Sequence, residues 1–285
     1  LTISGVTANN KVYDRTVTAV LSTGSAHLVG IFDGDNVTLV SSGATGTFAN
    51  KNVGTGKIVT ISGFSKSGTD AGNYNLVQPT ATASITSLAL TVTGITANNK
   101  VYDRTTAATL NTAGATLSGV LGGDIVNLVT TDVTGTFMNR NVGTGKIVTI
   151  SGFTISGTDA GNYTLTQPSA TASITAVTLT ITGVTAVSKV YDGTATAALN
   201  TGSATLVGVI GGDGVALVSS GATGTFATKN VGTGKPVTIS GFILSGADAG
   251  NYTLTQPTSS ADITAAGLTI SGVTANNKVY DRTVT

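Results

Sequence analysis

The 285 residues carry 14 basic and 13 acidic side chains, a net charge of +1 with only 9% of positions charged. There is therefore no basic stripe to neutralise phosphates and no polybasic patch for an anionic membrane. With no Cys and a single His, disulfide staples, His/Cys zinc sites and Cys–His chemistry are excluded, and no apolar run approaches the roughly 20 residues that span a bilayer.

Thr and Val dominate, every acidic residue is Asp, and Gly totals 38. Branched side chains favour strands, and Gly-rich runs without Glu disfavour helices, so the chain reads as all-β. In chain order, Leu1-Thr2-Ile3-Ser4 alternates and stops at Gly5, and residues 6–10 turn into Lys11-Val12-Tyr13-Asp14. Strands are expected over 16–21, 26–31 and 37–40, with Asp33-Gly34-Asp35-Asn36 as a turn. Residues 46–48 are short and extended, and 52–56 form a Gly-rich turn before a strand over 57–62. A loop, then residues 73–78, then a last strand over 80–85 complete the unit. Seven to nine short strands at this spacing predict a sandwich or barrel.

Tyr13, Tyr102, Tyr191 and Tyr280 each lie in Lys-Val-Tyr-Asp, spaced by 89 residues. The chain divides into 1–89, 90–178, 179–267 and the start of a fourth repeat at 268–285. Residues 268–285 match 1–18 letter for letter, which points to a longer array with a 267-residue superperiod. A period of 89 is too long for a solenoid turn, so each repeat is expected to close on itself. Comparison of the repeats marks faces. Ser84, Ser173 and Asp262 point to water, so Ala83 and Ile85 point inward. Ile58, Ile147 and Pro236 share a position, which predicts a strand start or an edge there. Leu1, Ile3, Val12, Tyr13, Phe48, Val59, Ile61 and Leu76 are candidate core.

Asp70-Ala71-Gly72-Asn73-Tyr74-Asn75-Leu76 recurs around Asp159, Gly161 and Tyr163 and around Asp248, Gly250 and Tyr252. It resembles the tyrosine corner of immunoglobulin domains, with Leu in place of Cys. The fold expectation is thus a row of tandem immunoglobulin-like β-sandwiches arranged as an elongated rod. Tyr13-Asp14, Tyr102-Asp103, Tyr191-Asp192 and Tyr280-Asp281 form the other signature. With the Asp-Ala-Gly-Asn-Tyr segment and Gly-Thr-Phe-x-x-x-Asn-Val-Gly-Thr-Gly-Lys, they make the unit similar to the YDG repeat domain. That family is related to the MBG repeats of large secreted bacterial adhesins of the filamentous-haemagglutinin type. Gly193 completes the family's Tyr-Asp-Gly triplet, whereas Arg15, Arg104 and Arg282 replace that Gly. The resemblance implies no catalytic residue.

The remaining constellations read as structure. His27 is Thr116 and Thr205 in the other repeats, which fits a surface residue. Asp33 and Asp35 leave calcium as an alternative to no cofactor, but Gly122 and Gly211 remove one carboxylate, favouring a turn Asp that bonds its own backbone. Asp14 with Asp70 is a second ion alternative, and a Lys–Asn crosslink through Lys11 and Asn52 or Asn73 is another. Gly54-Thr55-Gly56-Lys57 lacks the spacing and following helix of a phosphate loop. The expected function is a non-catalytic, extracellular stalk segment of a bacterial surface adhesin or fibre. Its expected partners are neighbouring repeats, further copies of itself, or a host or bacterial surface ligand. The alternatives are a self-assembling filament and a multivalent glycan- or protein-binding module.

Overall fold

The structure, a computed structural model, describes residues 1–285. It contains strands and three short 3-10 turns, with no α-helix. The chain separates into two compact units. The first comprises Leu1–Lys100, Thr106–Asn139 and Thr144–Ser173, and the second Val101–Thr105, Arg140–Gly143 and Ile174–Thr285.

The first repeat, wholly inside the first unit, shows how these sequences fold. Its strands are β1 (Thr2–Ser4), β2 (Thr7–Ala8), β3 (Lys11–Val12), β4 (Thr18–Ala19), β5 (Leu21–Ser22), β6 (His27–Val29), β7 (Thr38–Val40), β8 (Thr45–Phe48), β9 (Gly54–Ser62), β10 (Ser65–Ser67) and β11 (Thr80–Thr86). A five-stranded sheet runs β3-β11-β9-β8-β4. The β3–β11 pair is parallel, with Ile85 opposite Lys11, and the β9 pairings are antiparallel. Alternation along β8, β9 and β11 buries Phe48, Val59, Ile61, Ala83 and Ile85 on one face. Ile3 of β1, which pairs with Leu28 of β6, closes over that face, with Leu28 and Leu76 packed against the same cluster. Gly5, at φ 79°, ends β1 because a Cβ there would lie 2.1 Å from the Ser25 carbonyl oxygen.

Only Ser87 separates β11 from the next repeat's first strand, β12 (Leu88–Thr93). β12 pairs antiparallel with Thr116–Ser118 and parallel with Tyr163–Thr166. In the second unit, the third repeat repeats this plan. Val177–Thr182 lies between Thr205–Val207 and Tyr252–Leu254, and a five-stranded sheet carries Phe226, Val237, Ile239 and Ile263 inward.

Ala83 and Ile85 are both buried, as the alternation requires, and the ladder register shifts between them. Ser84 at that bulge accepts a hydrogen bond from the Gly56 amide, and Asp262 does the same for Gly234. Three expectations fail. Val12 is 51% exposed, because β3 turns it outward while Tyr13 turns inward. The strand expected from Lys57 begins at Gly54, so part of the predicted Gly-rich turn lies in the ladder. Pro236 lies in mid-strand, opposite Ser260 in a strand paired on both sides. It is tolerated because its nitrogen points to the side where the neighbouring strand Thr223–Phe226 has already ended.

Candidate functional site: a buried tyrosine–aspartate–tyrosine junction

The Lys-Val-Tyr-Asp-x-Thr signature builds a turn. Asp14 accepts hydrogen bonds from the Thr16 amide at 2.9 Å and from its hydroxyl at 2.8 Å. Lys11 Nζ reaches Asp14 at 2.7 Å and the Thr16 carbonyl at 2.8 Å, and its ammonium sits over the Phe48 ring. This ties Arg15 into the left-handed region at φ 68°, and it aims Tyr13 and Arg15 together off the end of the repeat. Lys189, Asp192 and Thr194 make the same turn around Gly193.

Within the first unit, Tyr13 meets the second repeat at Asp124, whose side chain is fully buried. Tyr13 donates to Asp124 at 2.8 Å and Tyr163 donates to the same oxygen at 2.7 Å. The two rings pack edge to face with centroids 5.5 Å apart. Arg15 Nε lies 3.0 Å from the other carboxylate oxygen, and Arg15 also donates to the Gly122 carbonyl. Lys51 adds 3.4 and 3.5 Å contacts to Asp124 and Asp159. The Val53 amide donates to Asn162, which is buried. Tyr13, Leu90 and Tyr163 belong to one core cluster with Phe48 and Ile85, so the apolar core runs through the junction.

The second unit contains a related constellation, in which the Tyr102 hydroxyl is buried without a hydrogen-bond partner. Tyr252 donates to Asp213 at 2.6 Å, Arg104 Nε lies 2.8 Å from Asp213, and Tyr102 stands edge to face against Tyr252. Arg140 takes the place of Lys51 and reaches Asp248 at 3.0 Å, and the Val142 amide donates to Asn251. Arg104 donates to the Gly211 and Gly212 carbonyls.

The electrostatics follow from this packing. Burial pushes the Asp124 carboxyl up, but hydrogen bonds from Tyr163 and Tyr13 and the nearby Lys51 outweigh it and hold the group below its usual range. Asp213 is lowered in the same way, against burial, by Tyr252 and by the Arg104 and Arg140 charges. The tyrosines move oppositely. Burial and then the Asp213 carboxylate push Tyr252 up to about 12, and burial and Asp124 raise Tyr13. The first junction thus holds an ionised carboxylate between two neutral phenols, and the second holds one bonded by Tyr252, each with cations at its rim. No gathering of three or more His, Cys, Asp or Glu side chains that could hold a metal ion is present. The hydrogen bonds and ion pairs of each junction join residues of neighbouring repeats.

The predicted residues fall around this centre. Tyr163 and Tyr252 line the junctions, whereas Tyr74 of the first repeat, half-buried, donates to Asp35 at 2.5 Å and accepts from the Phe32 amide at 3.0 Å. Each of these tyrosines thus reaches a turn about 40 residues upstream. Asp70, Asp159 and Asp248 hold that turn by accepting from the amides of Asn36, Ile125 and Gly214. Gly72, Gly161 and Gly250 sit in the 3-10 turns, where a Cβ would meet nothing. Tyr13 and Tyr102 are buried, Tyr191 is 37% exposed and Tyr280 is 85% exposed. Asp14, Asp103, Asp192 and Asp281 each take the turn-closing amide. His27 is exposed. The sequence reading missed Asp124 and Asp213 as hubs, and Arg15, Arg104, Lys51 and Arg140 as their cations. The usable signal was that Asp35, Asp124 and Asp213 repeat in every unit while Asp33 does not.

The chain is thus a tandem array of all-β repeats joined within each compact unit through buried carboxylate hubs. The YDG domain model matches residues 1–83, 86–172 and 175–260, and the chain belongs to the YDG domain family. No curated protein matches. Among solved structures the chain is similar to Drosophila N-cadherin EC1-3, at 7% identity and TM-score 0.20 over 91% of this chain and 98% of that one. It is also similar to Drosophila N-cadherin EC1-4, at 6% identity and TM-score 0.19 over 91% and 74%. Likeness at that level carries no argument.

Proposed function

We propose that this chain is a non-catalytic stalk segment of a bacterial cell-surface adhesin or extracellular fibre. The observation that carries the reading is the junction. The repeated polar side chains of highest cost to bury are spent on holding one repeat to the next. In this reading the repeats are immunoglobulin-like sandwiches stacked in line, each spanning roughly 35–45 Å for strands of 7–10 residues plus loops, so that three give a rod of about 120 Å. Single-residue connections such as Ser87 and Ala176 support stiffness, because few backbone dihedrals are free between strands. The low charge and the Ser/Thr-rich surface support an extracellular setting.

Electron microscopy of the purified chain tests this. Straight particles of about 120 Å are expected, and compact or freely jointed particles would overturn the stalk reading.

A further inference from the structure

Strands near the start of a repeat run side by side, and in the same direction, with strands near its end. In the first repeat β3 lies parallel to β11, with Lys11 opposite Ile85 and Val12 opposite Thr86. The Tyr13 amide extends that pair by donating to the Thr86 carbonyl at 2.8 Å. In the third repeat Lys189–Val190 lies parallel to Ile263–Thr264, and the Tyr191 amide donates to Thr264 at 2.8 Å. The opposing layer is built the same way. β12 runs parallel to Tyr163–Thr166, from Leu88 opposite Tyr163 to Thr91 opposite Thr166. Val177–Leu179 runs parallel to Tyr252–Leu254, and the Thr255 amide donates to Leu179 at 2.9 Å. The β8–β9 hairpin, by contrast, is antiparallel, with Thr45 opposite Ser62 at its open end.

Direction decides how such pairs answer a pull. Tension along the chain draws the start of a repeat one way and its end the other. Parallel strands at those two ends slide past each other, so the hydrogen bonds between them share the load and fail together. An antiparallel hairpin pulled at its open end loses its bonds one at a time. β11 is also paired along its other edge with β9, and it carries the buried Ala83 and Ile85. It cannot slide without breaking both ladders and dragging those side chains from the core.

The bulge in β11 adds a latch. Ser84 accepts from the Gly56 amide at 3.2 Å, and its own amide donates to the Asn10 side chain at 2.7 Å. Ser173 is held by Gly145 at 3.3 Å and Asn99 at 2.7 Å, and Asp262 by Gly234 at 2.7 Å and Ser188 at 2.9 Å. The bulge residue is thus tied to both neighbours, which pins the register of the leaving strand. Only Ser87 separates β11 from β12, so tension leaving the first repeat passes straight into the parallel pair that opens the second.

We infer that each repeat is a shear clamp that bears tension along the chain, with Asn10, Asn99 and Ser188 latching the leaving strand at its bulge. The inference rests on the stalk reading only for the source of the pull.

Force spectroscopy on the whole chain tests it. Pulled from its two ends, the chain should rupture in discrete steps, one per repeat, each releasing about 300 Å at roughly 3.3–3.6 Å per extended residue. The chain has no cysteine, so handles on Ser42→Cys and Ser62→Cys, both exposed, can instead peel the open end of the β8–β9 hairpin. End-to-end ruptures are expected at about twice the peeling force or more at one pulling speed. An Asn10→Ala/Asn99→Ala/Ser188→Ala chain should rupture at lower force end to end and at unchanged force in the peel. Its denaturant midpoint should barely move, because all three side chains are exposed. End-to-end forces no higher than peeling forces, or extension without discrete ruptures, would overturn the clamp. A triple variant that ruptures at the wild-type force would overturn the latch. Straight particles that rupture weakly would sink only this inference, whereas compact or freely jointed particles that rupture strongly would sink only the stalk reading.

Discussion

Residues 1–18 and residues 268–285 are the same eighteen letters in two settings. In the first, Ile3 is 8% and Tyr13 2% exposed; in the second, Ile270 is 87% and Tyr280 85% exposed and no strand forms. One feature is common to both. Asp281 accepts from the Thr283 amide at 3.0 Å, Lys278 lies 2.7 Å from Asp281, and Arg282 holds φ 67°, as Asp14, Lys11 and Arg15 do. The signature turn is therefore encoded locally, by an Asp side chain that bonds the backbone two residues on. The strands and the burial come from elsewhere: from β6, from β11 and from the acceptor face of the next repeat. Strand preference in these letters is realised only where partners on the sheet and the opposing layer exist.

The comparison can be broken at its most buried point. Tyr13→Ala removes a ring from the core and a donor from Asp124, and a loss of about 4 kcal/mol is expected in denaturant unfolding. Tyr280→Ala in the same experiment should change nothing measurable. Next in size, Asp124→Asn is expected to cost about 2 kcal/mol, because a buried charge-assisted network is replaced by a neutral one. It should also change the acid limb. Asp124 titrates below the ordinary carboxylate range when folded. Its contribution is therefore present above the unfolded value near 3.8 and fades as pH falls through the lower folded value. The wild-type chain should lose stability below about pH 4 more steeply than Asp124→Asn does; equal slopes would remove Asp124 from the account. The smallest effect is expected from Arg15→Gly, which converts the first junction toward the third repeat's Gly193. Relief of a left-handed non-glycine backbone, about 1 kcal/mol, offsets the loss of a partly exposed ion pair, so net stability should move by less than about 1 kcal/mol. Its salt dependence should weaken.

Much of the fold was legible because it rests on short-range pattern. The 89-residue period, the all-β character, the inward Ala83 and Ile85 and the recurrent Asp-Ala-Gly-Asn-Tyr segment all follow from letters close together in the chain. What was not legible depends on distant partners. Asp124 reads as a turn residue, and it is one, but its carboxylate is claimed by Tyr13, 111 residues away. Val12 beside Tyr13 looked like core, yet which of two adjacent apolar residues turns inward was decided by β3 pairing in parallel with β11. Pro236 predicted an edge and lies instead in an interior strand, because only one amide position had to be free. Arg15 departs from the Tyr-Asp-Gly signature in a way no local pattern explains, because its partners Gly122 and Asp124 lie more than 100 residues away.

The central claim is that successive repeats are energetically fastened through the tyrosine–aspartate hub. A double-mutant cycle on Tyr13→Phe and Asp124→Asn, read by equilibrium unfolding of the whole chain, measures that fastening. The account predicts a coupling energy of about 1 kcal/mol or more between residues that belong to different repeats. Losses that simply add, within about 0.3 kcal/mol, would contradict it and leave the repeats as independent domains that merely touch.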